Sequence, residues 1–451
     1  MNYKCATRTV RYEALNHNIV KSCIETCHEN WYWLSTNRIG YEYVGFEVLY
    51  APFLATWKVL KQGRHPEHIF LVFPRNYLKF ICLWLSASTV QSLKYRIINY
   101  IIMILLAIFT LTIACDLYEV SNDIVLFGDG LVVLTGLFLI YFKIWLFRSR
   151  ADEMDSITNA FNIIHTKFSF GMEKKNPKIL TYQRFAFLLD ASVFTNFCIL
   201  IIWFFMAISV QPLFTSETLI FRAKFLFSLH DPQRHPYAVT CIYFFQFFCT
   251  IYVLFVIVLI DSIPTQYFTQ TSVSLKTLCE CIRSLGKDDQ VVNHVNMRSQ
   301  LREIVHFHQL IIGLVDRINK CFYSNYIAQM GASTIIICLT AFESLLVKDE
   351  LMVAIKFYIY MLSGFLQLFY WCFCGNRMYF DSVKVSTAAF GLHHWYNESL
   401  ELQRDLMFLI QRAQKPLVFY AKPLPGFTFS TFTSILSTSY SYFTLLRTMN
   451  E

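Results

Sequence analysis

Charge is what this 451-residue sequence has least of: Asp, Glu, Lys and Arg make up 16%, while 55% is hydrophobic and 17% aromatic. An ordinary soluble domain is excluded, because such domains carry about a quarter charged residues. Glycine (14) and proline (11) are also scarce, which removes sheet-rich and low-complexity readings. The polar N-terminus MNYKCATRTVRYEALNHN lacks an apolar h-region, so insertion is expected to begin at the first transmembrane helix. The 14 cysteines are scattered, mostly where membrane or cytoplasm is expected, and no disulfide framework is expected. Cys115 and Cys241, both near the expected outer face, are the one candidate pair. Neither a nucleotide loop nor a catalytic-triad spacing is present, so neither an enzyme nor a cofactor is expected. His306 and His308 are two apart and His393 and His394 adjacent; neither pair has the i, i+4 spacing of a helical metal site, and no metal is expected.

What the chain has instead is long apolar runs. Seven spans follow from length and hydropathy: 97–115, 123–147, 185–209, 237–260, 322–346, 352–375 and 425–447. The expected fold is an all-α membrane protein of seven transmembrane helices. Residues 69–85 are also apolar, but Pro74, Arg75 and Lys79 interrupt them. A central Arg or Lys is expensive in lipid, so this segment is expected along the inner membrane surface. Lysine and arginine set the orientation. Lys79, Lys94 and Arg96 precede the first span, and Arg148 to Arg184, Lys276 to Lys320 and Arg377 to Lys422 crowd the even-numbered connections. The positive-inside rule puts the N-terminus in the cytoplasm and the C-terminus outside, the reverse of a G-protein-coupled receptor. The formal charge of +8 is mostly this bias, so no nucleic-acid partner is expected. Asn397-Glu398-Ser399 is a glycosylation sequon by pattern only, since this topology leaves it in the cytoplasm.

The expected organisation is a cytoplasmic region over 1–96, helices one to four over 97–260 and a cytoplasmic helical connection over 261–321. Helices five and six over 322–375, a cytoplasmic amphipathic helix over 376–424 and the seventh helix with a short tail over 425–451 complete it. In the connection, Leu301, Ile304, Val305, Leu310, Ile311 and Val315 form an apolar stripe. In the amphipathic helix, Leu400, Leu402, Leu406, Leu409 and Ile410 recur at helical steps between charges. These faces offer more apolar surface than one chain need bury, which predicts subunit association. The seventh helix is uncharged from Phe427 to Leu446 yet carries ten serine and threonine hydroxyls, at Thr428, Ser430, Thr431, Thr433, Ser434, Ser437, Thr438, Ser439, Ser441 and Thr444. Two readings stand: close helix–helix packing, or a face turned to water as in a pore. Leu445 and Met449, four apart, offer an apolar constriction at its outer end.

The pieces Trp395-Tyr396, SLELQRDLMFLIQRAQKPLVF and FTSILSTSYSYFTLLR resemble the C-terminal signature of the insect odorant receptors. Further likeness lies in SLHDPQRHPYAVTCIYFFQ at 228–246, HFHQLIIGLVDRINKCFYSNYIAQMGAS at 306–333, FYWCFCGN at 369–376 and NYLKFICLWL at 76–85. Residue 85 departs from the family pattern, with Leu85 where Pro usually follows the Trp. Residues 1–70 lie outside the resemblance. The resemblance implies an odorant-gated, non-selective cation channel in the plasma membrane of an olfactory sensory neuron, with no G protein required. It further implies a tetramer with the olfactory co-receptor, its pore lined by the seventh helix and its subunits held by a cytoplasmic anchor domain. The co-receptor carries a long insertion between helices four and five; here that connection is only about 60 residues, which implies the ligand-tuning subunit. A gustatory-type channel and a secondary transporter are the alternatives.

The family binds its volatile in the outer half of the membrane among helices two, three, four and six. On the present spans this implies Phe127, Leu131, Phe197, Ile201, Phe204, Tyr243, Phe244, Phe247, Tyr358, Met361 and Phe365 as candidate ligand contacts. Apolar burial would supply most of the affinity, and Tyr243 or Tyr358 one hydrogen bond. Leu445, Thr448 and Met449 match the family's gate, and Arg447 is expected to face away from the permeating ions. Asp129 and Asp190 fall within spans, where ionisable residues mark function, although each lies near enough to one end to reach water.

Overall fold

In the computed structural model of the chain, residues 54, 56–62, 69–70, 72–86, 93–169, 176–214, 218–285, 294–347, 351–392, 395–420 and 426–450 are described. His393, His394 and the breaks at Pro423 and Pro425 lie outside them. Helices make up all the regular structure among these residues: α1 (Val72–Phe80), α2 (Leu93–Glu119), α3 (Ile124–Ser149), α4 (Ala151–Ile164), α5 (Pro177–Phe214), α6 (Pro236–Ser284), α7 (His294–Leu346), α8 (Leu351–Phe390), α9 (Leu400–Ala413) and α10 (Phe429–Asn450). A π-turn at His165–Ser169 closes α4.

Six helices among the described residues, α2, α3, α5, α6, α7 and α8, are long and apolar enough to cross a membrane. The seventh, α10, has 22 residues, roughly 33 Å at about 1.5 Å per residue, so it has the length. Its hydroxyls keep it out of the apolar group. Exposure sorts the rest into rim and centre. Only 22% of the most apolar window of α5 is buried and 28% of that of α2, against 56% for α7. Ile97, Ile101, Ile104 and Ile108 on α2 and Ile202, Trp203 and Met206 on α5 are exposed, as befits helices whose solvent is hydrocarbon.

Three helices run far beyond the apolar layer. α6 spans 49 residues and α7 53, so each measures more than twice the ~30 Å hydrocarbon thickness. Hydropathy ends the fourth span at 260, but α6 continues unbroken through Pro264 to Ser284. Its polar run Thr265, Gln266, Thr269, Gln270, Thr271 and Ser272 is buried at 1–3% exposure. Thr265, Thr269 and Thr271 return their hydroxyls to carbonyls four residues back, and Gln270 Nε2 donates to the Ile69 carbonyl at 2.8 Å. Polar side chains that satisfy themselves this way pack where apolar ones would.

This polar extension of α6, the first half of α7, the second half of α8, and α4 and α9 form a bundle at the end of the molecule that carries the basic connections, here the basic end. Asp381 on α8 accepts from Ser272 at 2.5 Å and pairs with Lys276 at 3.3 Å and Lys384 at 3.0 Å. α9 is capped by Ser399, whose hydroxyl accepts from Leu402 N, and buries Leu402, Leu406, Leu409, Ile410 and Ala413. Residues 69–70 and 72–86 are built into the same end. Tyr77 meets Phe255 edge-on at 4.7 Å, and Trp84, fully buried, donates Nε1 to Asp155 Oδ1 at 3.1 Å. The candidate Cys115–Cys241 pair is not formed; both thiols are free and exposed.

Candidate functional site

A cavity of about 220 Å³ lies between α3, α5, α6 and α8, with Phe109 of α2 and Ile336 of α7 at its edges. Its volume falls just below the roughly 300–1,000 Å³ of drug-sized sites, which suits a small organic molecule. Along α5 the wall is one helical stripe, Asp190, Val193, Phe194, Phe197, Ile201 and Phe204, at steps of three and four residues. Tyr360, Gly364, Gln367, Tyr370 and Trp371 of α8 face it.

Phe197, Ile201 and Phe204 are thus brought together on the cavity, and Phe204 packs on Tyr360 at 4.6 Å. The other candidates lie elsewhere. Phe127 and Leu131 are half-buried on α3 nearer the opposite end, and Met361 is half-buried on α8. Phe244 and Tyr358 are half-exposed on the outside of the bundle. Phe247 packs on Phe205 at 4.7 Å, and the Tyr243 hydroxyl already donates to the Ser209 carbonyl at 2.8 Å. Phe365 meets Phe432 of α10 at 5.1 Å.

Apart from Asp190, the polar part of the cavity escaped the sequence reading. Lys143, 1% exposed, reaches Asp261 Oδ1 and Gln329 Oε1, each at 2.5 Å, and lies 5.8 Å from the Trp371 ring centroid. Gln367 donates to the other Asp261 oxygen, and Gln329 Nε2 donates to Ser333 at 3.1 Å. One network therefore ties α3, α6, α7 and α8 together beside the cavity. Asp190 lines the same space at 5% residue exposure, with Thr269 of α6 as a hydrogen-bonding neighbour. It is sequestered from water. Near the opposite end, Asp129 pairs with Lys356 at 2.9 Å. A lysine inside the span 123–147 was a legible signal, since lysine in lipid needs a partner.

The second feature is α10. Phe432, Ile435, Leu436 and Ser439 turn inward, and Ser439 donates to the Thr334 carbonyl of α7 at 3.3 Å. On the other side Ser430, Ser434, Ser437, Ser441, Leu445 and Thr448 follow one another at steps of four and three, and all are exposed. Leu445 is 56% and Met449 76% exposed. Arg447, two residues from Leu445, points about 200° away around the helix, off that stripe.

Between cavity and α10 lies an aromatic cluster. Trp371 lines the cavity on one side and meets Phe427, just before α10, at 5.3 Å on the other. Phe427 also meets Tyr326 at 5.1 Å, and Phe268 stacks on Phe419 at 4.1 Å. The strand of chain entering α10 is fixed by side chains from two helices. Asn319 of α7 donates to the Val418 carbonyl at 3.0 Å and accepts from Tyr420 N at 3.2 Å, and Ser382 of α8 accepts from Leu417 N at 3.0 Å. Phe427 N then donates to the Phe419 carbonyl at 3.0 Å.

Residues 123–440 match the family profile described as 7tm Odorant receptor. Odorant receptor 47b of Drosophila melanogaster is 32% identical over 377 residues, covering 83% of this chain and 90% of its own length. Odorant receptor 65a of the same fly is 29% identical over 405 residues, covering 88% and 95%. The solved insect olfactory receptor OR5 from Machilis hrabei, in complex with eugenol, superposes with a TM-score of 0.71 at 14% identity, over 88% of this chain and 99% of that one. At that identity the likeness is one of fold: the same multi-pass helical architecture.

Proposed function

This chain belongs to the insect odorant receptor family, and from that membership we propose that it is the ligand-tuning subunit of an odorant-gated, non-selective cation channel. It works with the olfactory co-receptor in a tetramer in the plasma membrane of an olfactory sensory neuron, without a G protein. The basic end is cytoplasmic and serves as the anchor between subunits, and the C-terminus is outside. A small volatile enters the cavity between α3, α5, α6 and α8; the structural neighbour solved in complex with eugenol supports a small organic ligand.

The observation that carries the channel reading is the exposed stripe of α10. A bilayer rewards apolar contact, and a membrane helix has no use for a column of serines toward lipid. Four such helices around an axis would give a hydroxyl-lined path, which Leu445, Thr448 and Met449 would narrow at its end; opening withdraws these side chains so that the constriction wets. Ligand-evoked current is expected from oocytes expressing this chain with an insect co-receptor. In that current, cysteine placed at Ser434, Ser437 or Ser441 is expected to let a charged thiol reagent block most of the flow. Cysteine at the inward-facing Ile435 or Leu436 leaves it unchanged. Equal block from both faces would sink the assignment of this stripe to the pore.

A further inference from the structure

The stripe of α5 that faces the cavity is apolar from Val193 to Phe204 and ends in the carboxyl group of Asp190. Asp190 Oδ1 takes no hydrogen bond, and the residue is 5% exposed. Neither Lys143, which lines the same cavity, nor Arg377, whose charge acts on Asp190, forms an ion pair with it. Lys143 is held by Asp261 and Gln329, both at 2.5 Å, and Arg377 lies over the Phe185 ring at 4.5 Å. A desolvated acceptor without a partner is costly, and a molecule that supplies a donor to it recovers that cost. Nothing else along this wall of α5 offers a polar contact. Of the two aromatic hydroxyls the sequence offered to an odorant oxygen, Tyr243 is already bonded to the backbone and Tyr358 faces away from the cavity.

We infer that Asp190 selects the ligand by its head group: the cavity takes a volatile with an apolar body and a terminal hydrogen-bond donor, an alcohol or a primary amine, in preference to acceptor-only esters and ethers. The body lies along Val193, Phe194 and Phe197, within about 10 Å of Asp190 along the helix, and the O–H or N–H donates to Asp190 Oδ1. An ester or ether of the same length fills the same space but leaves Asp190 Oδ1 unmet. Sites built around a buried hydrogen bond reject analogues that lack it far more strongly than apolar pockets reject an altered chain length.

This inference rests on the cavity being the odorant site, and the test separates the two. Oocytes expressing the full chain with an insect co-receptor are given an unbranched alcohol, primary amine, methyl ether and methyl ester of matched length. The wild type is expected to respond to the alcohol and amine at concentrations on the order of ten-fold lower than to the ether and ester. Asp190→Leu is expected to erase that preference, raising the half-maximal concentration for the donors by about ten-fold or more while the ether and ester stay level or improve. Asp190→Asn, which keeps an acceptor oxygen at the same place, is expected to retain the preference for the alcohol over the ether and ester. A wild type that prefers the acceptor-only pair overturns the inference, as does an Asp190→Leu variant that shifts all four ligands equally; either leaves the odorant-receptor reading standing. Should the variants fail to reach the surface, the wild-type ranking decides alone.

Discussion

Replacing Lys143 with Met is expected to strip the protein from the cell surface, the largest single-residue effect this structure predicts. Lys143 is 1% exposed, and its ammonium is held between Asp261 and Gln329. Methionine fills much of the same volume, so packing is not what fails. What fails is Asp261, left as a carboxylate with only Gln367 to meet it. Removing one member of a buried ion pair costs about 3–5 kcal/mol, a large share of the roughly 5–15 kcal/mol that holds a domain folded. Asp261→Asn is expected to do similar damage from the other side, by leaving the ammonium unpaired. The double change Lys143→Met with Asp261→Leu is expected to recover much of the loss, because no charge is then stranded. Surface biotinylation and the melting of a solubilised fluorescent fusion read both effects. A Lys143→Met protein with wild-type surface level and melting point would mean that the network is ornamental.

The same network shows where sequence reading reaches and where it stops. Spans, helical class and the basic bias follow from hydropathy and charge, because lipid tolerates little else than apolar helix. The stripe Phe197, Ile201 and Phe204 was also within reach, since residues at steps of four and three on one helix must share a face. Which face of α8 turns inward was not. Tyr358 and Tyr360 sit two residues apart, about 200° around a helix, and only packing against α5 decides that Tyr360 lines the cavity while Tyr358 faces outward. The extension of α6 was lost for a different reason. Asp261 to Ser272 reads as polar and hence as connection, yet it is buried because hydroxyls and amides are satisfied within the bundle. Hydropathy sees the polar atom and not its partner. In α10 the sequence left two readings of ten hydroxyls open, and both apply in part: Ser439 packs against α7, while Ser434, Ser437 and Ser441 are exposed.

The junction of α8 with the start of α10 carries the second large effect. Gly375 lies against the turn that precedes α10, and a Cβ there would stand 2.2 Å from the Phe427 carbonyl oxygen and 2.8 Å from its Cβ. The first of these neighbours is backbone, so no rotamer change relieves it; α8 and the α10 entrance must separate. Phe427 is fully buried against Trp371 and Tyr326, and its N–H is tied to Phe419, so it resists. Gly375→Ala is therefore expected to cost about 1–3 kcal/mol by overpacking, seen as a lowered melting point. Because the strain falls on the entrance to α10, maximal ligand-evoked current is expected to fall further than surface level does, by on the order of ten-fold if about 1.4 kcal/mol of it biases the open–closed balance. Gly331→Ala on α7 is the matched control: a Cβ there meets nothing within 4 Å, and alanine is the better helix former by up to about 1 kcal/mol. It is expected to match or exceed wild type in both measurements. If Gly375→Ala behaves like Gly331→Ala, α10 is not held at Phe427, and whatever joins the cavity to that helix runs elsewhere than through Trp371.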